Sequence, residues 1–276
     1  MSILQLPGAR PETVLIDWHA TLVDTHDAMY HAVDDVLPRL EELDLWDKLL
    51  GPDQSKTLED AKLVKYVREH HRLHPKITAQ RKISRTDIFE VLFGDDDGAK
   101  RTIHQAFDAC YKKYVDQVFP LEPDINEQLR RLKASGVPVG VISNRRREYL
   151  EHELGLVDEG RWRDLFDVIV CGDDVQRRKP APDMILRALE KLDVPASESV
   201  WYVGDSTTDV IAGKEAGVTA IFYNGAHWSP AWIDKIFPNT LRHPHRPDAV
   251  VDSIAELVTL ARRMLANGLR VERDRA

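Results

Sequence analysis

The chain has 276 residues, 43% of them hydrophobic and 30% charged, which is the composition of a globular protein with a sizeable core. The formal net charge of -8 argues against a nucleic-acid partner, and no apolar run approaches the roughly 20 residues that cross a bilayer, so we expect a cytoplasmic protein with no membrane partner. Cys110 and Cys171 lie far apart in the sequence and predict neither a disulfide framework nor a zinc site.

The first predicted element lies in the stretch from Thr13 to Asp24, where an apolar run ends at Asp17. Short runs of aliphatic and β-branched residues are typical of buried strands in parallel sheets. Such sheets bind ligands beyond the carboxyl ends of their strands. Asp17 is therefore a candidate site residue, although an aspartate that caps a turn would give the same local pattern.

The pattern changes to helix from Thr25 to about Pro120. Apolar residues recur there at helical spacing, for example at Val33, Leu37 and Leu40. We expect residues 25–120 to form an all-helical domain inserted after the first strand. Residues 1–24 and 121–276 would then form the core domain.

Helix and strand patterns alternate after Pro120. The predicted strands are Val137–Ile142, Asp167–Cys171, Ser199–Val203 and Val218–Tyr223. The predicted helices between them are Ile125–Ser135, Pro182–Leu192 and Thr208–Ala216. This alternation predicts an α/β fold whose core is a Rossmann-like, doubly wound parallel sheet with right-handed crossovers.

Four polar motifs follow predicted strands or begin the next helix. They are Asp17-Trp-His-Ala-Thr21, Ser143-Asn144, Lys179-Pro180 and Gly204-Asp205-Ser-Thr-Thr-Asp209. Each alone has an ordinary structural interpretation, such as a helix cap or an exposed loop lysine. Together they predict polar side chains that converge at one edge of the sheet.

In this order and at these positions, the motifs resemble those of the haloacid dehalogenase-like hydrolase superfamily. The resemblance covers residues 13–24 and about 121–262. The inserted helical segment lies where one branch of the superfamily, which includes phosphoglycolate phosphatases and phosphonoacetaldehyde hydrolases, carries a cap domain.

The resemblance implies a magnesium-dependent phosphatase that acts on a small phosphorylated metabolite through an aspartyl-phosphate. A carboxylate can attack phosphorus once a cation reduces the repulsion between the two anions. The implied catalytic residues are Asp17, His19 and Lys179. The implied phosphate ligands are Ser143, Asn144, Lys179 and Thr21. The implied Mg²⁺ ligands are Asp17, the backbone carbonyl of His19, Asp205 and Asp209, the last directly or through a water.

His19 departs from the family pattern, because phosphatases of this family usually carry an aspartate there as acid and base. Histidine can perform the same proton transfers, since its ordinary pKa of about 6.5 lies near neutrality. The Asp-Trp pair also resembles phosphonoacetaldehyde hydrolases, which cleave a carbon–phosphorus bond with a cap lysine, for which Lys48 and Lys56 are candidates. A third alternative is a catalytically impaired homologue that binds phosphorylated ligands.

Two further segments have alternative interpretations. Between Lys56 and Arg85 there are nine Lys or Arg and three Asp or Glu, a balance of +6. This segment is either a solvated helix face or a surface for an anionic substrate. The segment 227–246, with Trp228, Trp232 and Phe237, is either a specificity loop or an aromatic patch that packs on the core.

Overall fold

The computed structural model describes residues 7–81, 83–241 and 244–273, with side chains up to residue 266. Its strands are β1 (Thr13–Asp17), β2 (Val23–Asp24), β3 (Phe119–Pro120), β4 (Val139–Ser143), β5 (Val168–Cys171), β6 (Val200–Gly204), β7 (Thr219–Tyr223) and β8 (Ala249–Val251). Its helices are α1 (His26–Val36), α2 (Leu58–His70), α3 (Pro75–Gln80), α4 (Arg85–Phe93), α5 (Asp97–Tyr111), α6 (Ile125–Lys133), α7 (Arg147–Leu156), α8 (Asp183–Leu192), α9 (Thr207–Glu215), α10 (Pro230–Ile236) and α11 (Ile254–Arg273). Among the described residues, no helix combines the length and hydropathy that a membrane span needs.

The central feature of the core is a parallel sheet with strand order β5-β4-β1-β6-β7-β8. β1 pairs with β4 on one side and with β6 on the other, so it lies in the interior of the sheet. The chain first builds outward from β1 through β4 and β5, and then crosses to β6 on the opposite side. This reversal puts the topological switch point at β1, where open α/β sheets bind their ligands. The predicted doubly wound parallel sheet is confirmed.

Burial explains why β1 occupies this position. All five residues of Thr13–Asp17 are buried, which requires cover on both faces of the sheet. On one face, apolar residues of α8 and α9 pack with Leu15 and with neighbouring residues of β4, β5 and β6. A strand this apolar is stable only in the middle of a covered sheet.

The predicted strands agree with the observed ones to within two residues at either end. The core elements that were not predicted include the helices α7, α10 and α11 and the strand β8. β8 is only three residues long, and its flanks are polar, so the run Ala249–Val251 carries little periodic signal.

Residues Thr25–Val118 form a second compact unit. Its described residues contain the helices α1 to α5 and short 3₁₀ turns, around an apolar core of their own. We expected the insert to end at residue 120, whereas this unit ends at Val118. Phe119 and Pro120 belong to the core because they pair, as β3, with β2 in antiparallel orientation. The function of this unit as a cap stays a prediction.

The helical pattern that runs from Ala28 to Leu45 contains a break. α1 ends at Val36, and a 3₁₀ turn with Pro38 near its start follows. Proline cannot donate the backbone hydrogen bond of a helix interior, so Pro38 cannot continue the hydrogen-bond pattern of α1. The apolar spacing continues past this point because the turn also packs against the apolar core of the unit.

Gly140 provides a test of the packing at the centre of the sheet. A Cβ atom there would lie 2.5 Å from Val168 Cγ1 and 2.6 Å from Leu15 Cδ2. We expect Gly140→Ala to lower the free energy of unfolding by about 1–3 kcal/mol, since both neighbours are packed in the core. Urea denaturation would measure this. Gly155→Ala on α7 is the control, because its Cβ would meet nothing within 4 Å. A loss of stability in the control equal to that of Gly140→Ala would contradict the steric explanation.

Candidate active site

Neighbouring strands bring the predicted site residues together. Asp17 ends β1 and Ser143 ends β4 beside it, while Asp205 follows β6 on the other side of β1. Asp209 lies in the first turn of α9, directly after Asp205. The predicted convergence of these motifs is therefore observed at the carboxyl edge of the sheet.

Lys179 comes from the loop between β5 and α8 and lies among these carboxylates. Its Nζ is 2.5 Å from Asp17 Oδ1 and 2.8 Å from Asp209 Oδ1. All three side chains are buried. Burial alone would lower the pKa of Lys179, but the two carboxylates outweigh it and raise the pKa. Lys179 is therefore held as a buried cation between two acidic groups.

Asn144 holds the lysine loop in place. Its side-chain Nδ2 donates to the Lys179 carbonyl at 3.2 Å, and its Oδ1 accepts from the Lys179 backbone N–H at 3.0 Å. The peptide bond between Lys179 and Pro180 is cis. Asn144 was predicted as a phosphate ligand, but in the structure its amide is engaged with the backbone of Lys179. Its observed contacts position the lysine.

Asp209 is fixed by contacts to both of its oxygens. Oδ1 accepts from Lys179 Nζ and, at 2.7 Å, from the Tyr202 hydroxyl. Oδ2 accepts from the Ser206 backbone N–H at 3.1 Å and from its hydroxyl at 2.5 Å, which closes a capping box at the start of α9. A Cβ at Gly204 would lie 2.3 Å from Asp209 Cγ, so this approach needs glycine.

Three carboxylates form a potential cation site. Asp17, Asp205 and Asp209 each offer an oxygen, and these oxygens lie within 4.8 Å of one another. Burial raises the pKa of Asp17 to about 7, despite the opposing attraction of Lys179. Burial and the other two carboxylates raise the pKa of Asp205. With all three carboxylates ionised, the cluster would therefore carry more negative charge than Lys179 alone offsets.

His19 lies in the tight turn that follows β1. Ala20 in this turn has left-handed backbone geometry, with φ of 59°. The backbone N–H of Ala20 donates to the Val23 carbonyl at 2.8 Å. Thr21 in the same turn contacts the acidic cluster through its hydroxyl, which lies 3.5 Å from Asp205 Oδ1. This turn places His19 and Thr21 beside the carboxylates.

The imidazole of His19 bridges two side chains. Its Nδ1 is 3.3 Å from Ser143 Oγ, and its Nε2 is 3.0 Å from Glu153 Oε2. Burial lowers the pKa of His19, although Glu153 opposes this. Burial by itself would raise the pKa of Glu153. The neighbouring His19 and Arg145 and the hydrogen bond from Trp18 lower this pKa by more than burial raises it, so it lies below its usual value. Burial therefore opposes a positive charge on His19, while the surroundings of Glu153 favour its ionised form.

Sequence reasoning missed Glu153 and Tyr202. A signal for Glu153 was present, because it lies on α7 three residues after Leu150 and four after Tyr149, both of which are buried. A charged residue within the apolar face of a helix indicates a buried partner. Its partner His19 is 134 positions away, so spacing could not have identified it.

The candidate Schiff-base lysines belong to the second unit. Lys48 is exposed and ends a 3₁₀ turn. Lys56 is 73% exposed and pairs with Glu90 at 3.4 Å. A nucleophilic lysine needs desolvation or a neighbouring cation to lower its pKa. Within their own unit, both lysines are instead in contact with solvent.

Local pairing accounts for much of the basic segment. Lys62 lies 2.6 Å from Glu59, and Lys65 lies 3.8 Å from Glu69, both on α2. Arg68 has a structural contact, since its guanidinium donates to backbone carbonyls of residues 49 and 50. Lys82 lies outside the described residues. The pairs on α2 are typical of a solvated helix face.

The segment 227–246 contains α10 and packs partly on the core. Phe237 is buried and makes an edge-to-face contact with Phe222 on β7, with ring centroids 5.1 Å apart. Trp232 is 49% exposed, and Lys235 lies 4.6 Å above its ring. Residues 242 and 243 lie outside the described residues. The aromatic-patch interpretation therefore holds for Phe237, and a role in specificity stays a prediction.

The fold and the clustered acidic residues define a Rossmann-like α/β protein with a candidate metal site at the edge of its sheet. Residues 14–223 match the haloacid dehalogenase-like hydrolase family, which is more than half of the chain. The chain belongs to this family. The resemblance inferred from the four motifs is confirmed.

Named relatives and solved structures agree with this assignment. A phosphoglycolate phosphatase of Escherichia coli (strain K12) is 31% identical over 121 residues, which are 44% of this chain and 46% of that protein. A pyrophosphatase of Bacillus mycoides (strain KBAB4) is 26% identical over 159 residues, 56% of this chain and 68% of that protein. The crystal structure of a haloacid dehalogenase family hydrolase from Deinococcus radiodurans R1, with bound phosphate and sodium, has a TM-score of 0.55 at 22% identity, covering 93% of this chain and 98% of that one. The chain thus spans about half the length of the phosphatase it matches.

Lys179→Met tests the buried charge cluster. We expect it to lower the free energy of unfolding by about 3–5 kcal/mol, because it leaves buried carboxylates without their cation. Lys214→Met is the control. It breaks a 2.7 Å pair with Asp248 that is about one-third exposed, and it should cost about 1 kcal/mol or less. Equal losses in the two variants, measured by urea denaturation, would contradict the buried-pair account.

Proposed function

We propose that this protein is a magnesium-dependent phosphatase that hydrolyses a small phosphorylated metabolite through a phosphorylated Asp17. The observation that carries the proposal is the position of Asp17. It ends the strand at the switch point of the sheet, beside a buried lysine and within reach of two further carboxylates. A carboxylate nucleophile, a fixed cation and a candidate metal site are the parts that phosphoryl transfer needs.

The acidic cluster fits a magnesium ion. Mg²⁺ prefers oxygen ligands and is usually bound by one or two carboxylates together with substrate phosphate. Asp17, Asp205 and the backbone carbonyl of His19 would hold it. Both oxygens of Asp209 already accept hydrogen bonds, so this residue would act on the metal through a water while it holds Lys179. When bound, the ion neutralises negative charge on the carboxylates and on the phosphate oxygens.

The phosphate would bind between Lys179 and the residues that follow β4. The Ser143 hydroxyl accepts from the backbone N–H of Arg145 at 3.2 Å and lies 3.3 Å from His19 Nδ1. Its one proton would move from His19 to a phosphate oxygen when the phosphate binds. Lys179 reduces the repulsion between phosphate and Asp17. Asn144 keeps the lysine in position, and Thr21 supports Asp205 from the turn after β1.

The reaction has two displacements at phosphorus. In the first, an oxygen of Asp17 forms a bond to phosphorus and the bond to the alcohol oxygen breaks. His19, which must be doubly protonated at the start of this step, donates its Nδ1 proton to the departing oxygen and is left neutral. In the second, His19 accepts a proton from a water that attacks phosphorus, and the bond to Asp17 breaks. Inorganic phosphate and the unmodified carboxylate remain.

The relatives support a small phosphorylated compound as substrate. Two curated relatives are named as a phosphoglycolate phosphatase and a pyrophosphatase, and the D. radiodurans structure contains bound phosphate. These descriptions belong to those proteins. For this chain they favour a small phosphorylated metabolite over a carbon–phosphorus bond or a bound ligand without turnover.

A screen of phosphorylated metabolites tests the proposal. We expect phosphate release from several monoesters with magnesium and none in excess chelator. Asp17→Asn should lose roughly 10⁴-fold in kcat, since the amide is not a nucleophile. Asp193→Asn is the matched control, because Asp193 is exposed and asparagine tolerates its left-handed backbone. Ordinary turnover by Asp17→Asn would exclude the covalent mechanism. Turnover of phosphonoacetaldehyde alone would favour the carbon–phosphorus hydrolase, and binding without turnover would favour the impaired homologue.

His19→Ala tests the proton transfer to the leaving group. On an alkyl phosphate we expect kcat to fall by about 10²–10⁴-fold, because an alkoxide needs a proton to depart. On a nitrophenyl phosphate the loss should be smaller, since this leaving group is stable as an anion. His152→Ala, an exposed histidine on α7, is the control. If His19→Ala lowers kcat negligibly and equally on both substrates, the imidazole takes no part in the reaction and only the backbone carbonyl of His19 has a role.

A further inference from the structure

Glu153 is a fully buried carboxylate that none of the four motifs contains. It has no solvent exposure. Its Oε2 accepts a hydrogen bond from Trp18 Nε1 at 2.7 Å and lies 3.0 Å from His19 Nε2. A buried carboxylate costs several kcal/mol unless it is paired and hydrogen-bonded. An apolar residue would be the ordinary choice on this face of α7, so the carboxylate needs an explanation.

The contacts of Glu153 determine which nitrogen of His19 donates. The indole N–H of Trp18 can only donate, so the shared oxygen Oε2 acts as an acceptor. When Glu153 is ionised this oxygen has no proton to give, so His19 Nε2 is the donor of their 3.0 Å contact. The Nδ1 atom on the other side of the ring is left with a lone pair, and it faces the Ser143 hydroxyl at 3.3 Å.

The geometry of imidazole explains why such a partner is needed. The two nitrogens of the ring point in different directions, so only one of them can exchange a proton with the substrate. A histidine used as acid and base therefore needs a partner on its far side to fix the tautomer and the ring orientation. An aspartate in the same position needs no such partner, because its two oxygens are equivalent.

We propose that Glu153 is the positioning residue of His19: its contact with Nε2 fixes the tautomer and the orientation of the ring, so that Nδ1 faces Ser143. This inference rests on the proposed function, since it gives His19 a role in turnover. It explains how this chain accommodates histidine where related phosphatases use aspartate.

The ring is held from the side of Trp18 as well. Trp18 is fully buried and makes edge-to-face contacts with Trp162 and Phe166, with centroids 5.9 and 6.2 Å apart. These ring contacts restrain the indole of Trp18. Through its hydrogen bond the indole in turn restrains Oε2 of Glu153, in the absence of substrate. Preorganisation of this kind is what a positioning residue supplies.

Kinetics of Glu153→Gln separate positioning from simple packing. Glutamine keeps an oxygen that can accept from both donors but has no charge. We expect kcat for an alkyl phosphate to fall roughly 10–100-fold with little change in KM. The loss on a nitrophenyl phosphate should be smaller, and Glu153→Gln in a His19→Ala background should add no further loss.

Leu154→Ala is the matched control for stability. Leu154 is the buried neighbour of Glu153 on α7, and its truncation should destabilise the fold. It should leave the ratio of alkyl to aryl activity unchanged. If Glu153→Gln lowers both activities equally, or adds fully to His19→Ala, Glu153 is a structural residue and the proposal is wrong.

A measurement without turnover keeps this inference distinct from the proposed function. ¹⁵N NMR of the histidine-labelled protein reports the tautomer of His19, and His19→Ala assigns the signal. We expect the Nε2–H tautomer in the unmodified protein and a shift toward the other tautomer in Glu153→Met. An Nδ1–H tautomer in the unmodified protein overturns the inference even if the enzyme is active. The expected tautomer supports it even if every phosphate ester tested is inert.

Discussion

The site depends on one buried ammonium group held between two carboxylates. Lys179 lies on a loop, Asp17 on the central strand and Asp209 on a helix, so the three charges join segments that are distant in the sequence. Each of these ions is costly to bury alone and is stabilised by the others. Two neighbouring residues support this cluster. Gly204 has no side chain and so leaves room for Asp209, and the side-chain amide of Asn144 holds the loop that carries Lys179.

The sequence predicts best those residues whose position follows from the sheet alone. Asp17, Ser143 and Asp205 follow apolar runs, and parallel strands must bring such ends to one edge. Sequence order contains no information about which side chains then meet across the edge. The engagement of Asn144 with the lysine loop and the pairing of Glu153 with His19 are therefore results of the folded structure.

Charge counts were less informative than motifs. The excess of Lys and Arg between residues 56 and 85 resembles a surface for anions, yet lysines of α2 pair with glutamates of the same helix and Arg68 donates to backbone carbonyls. Composition records the sum of charges but not their partners. Similarly, apolar residues keep their helical spacing on both sides of Pro38 although α1 ends before it, because the 3₁₀ turn packs on the same apolar core.

The short ladder between Val23–Asp24 and Phe119–Pro120 has a consequence for the segment that it encloses. The ladder holds the two ends of the 25–118 segment side by side, so for the core this segment is a loop whose ends are already fixed. The entropy of closing such a loop grows only with the logarithm of its length, by about 0.6 kcal/mol for each doubling. Segments of very different size can therefore be exchanged at this junction while the sheet and its acidic edge are retained.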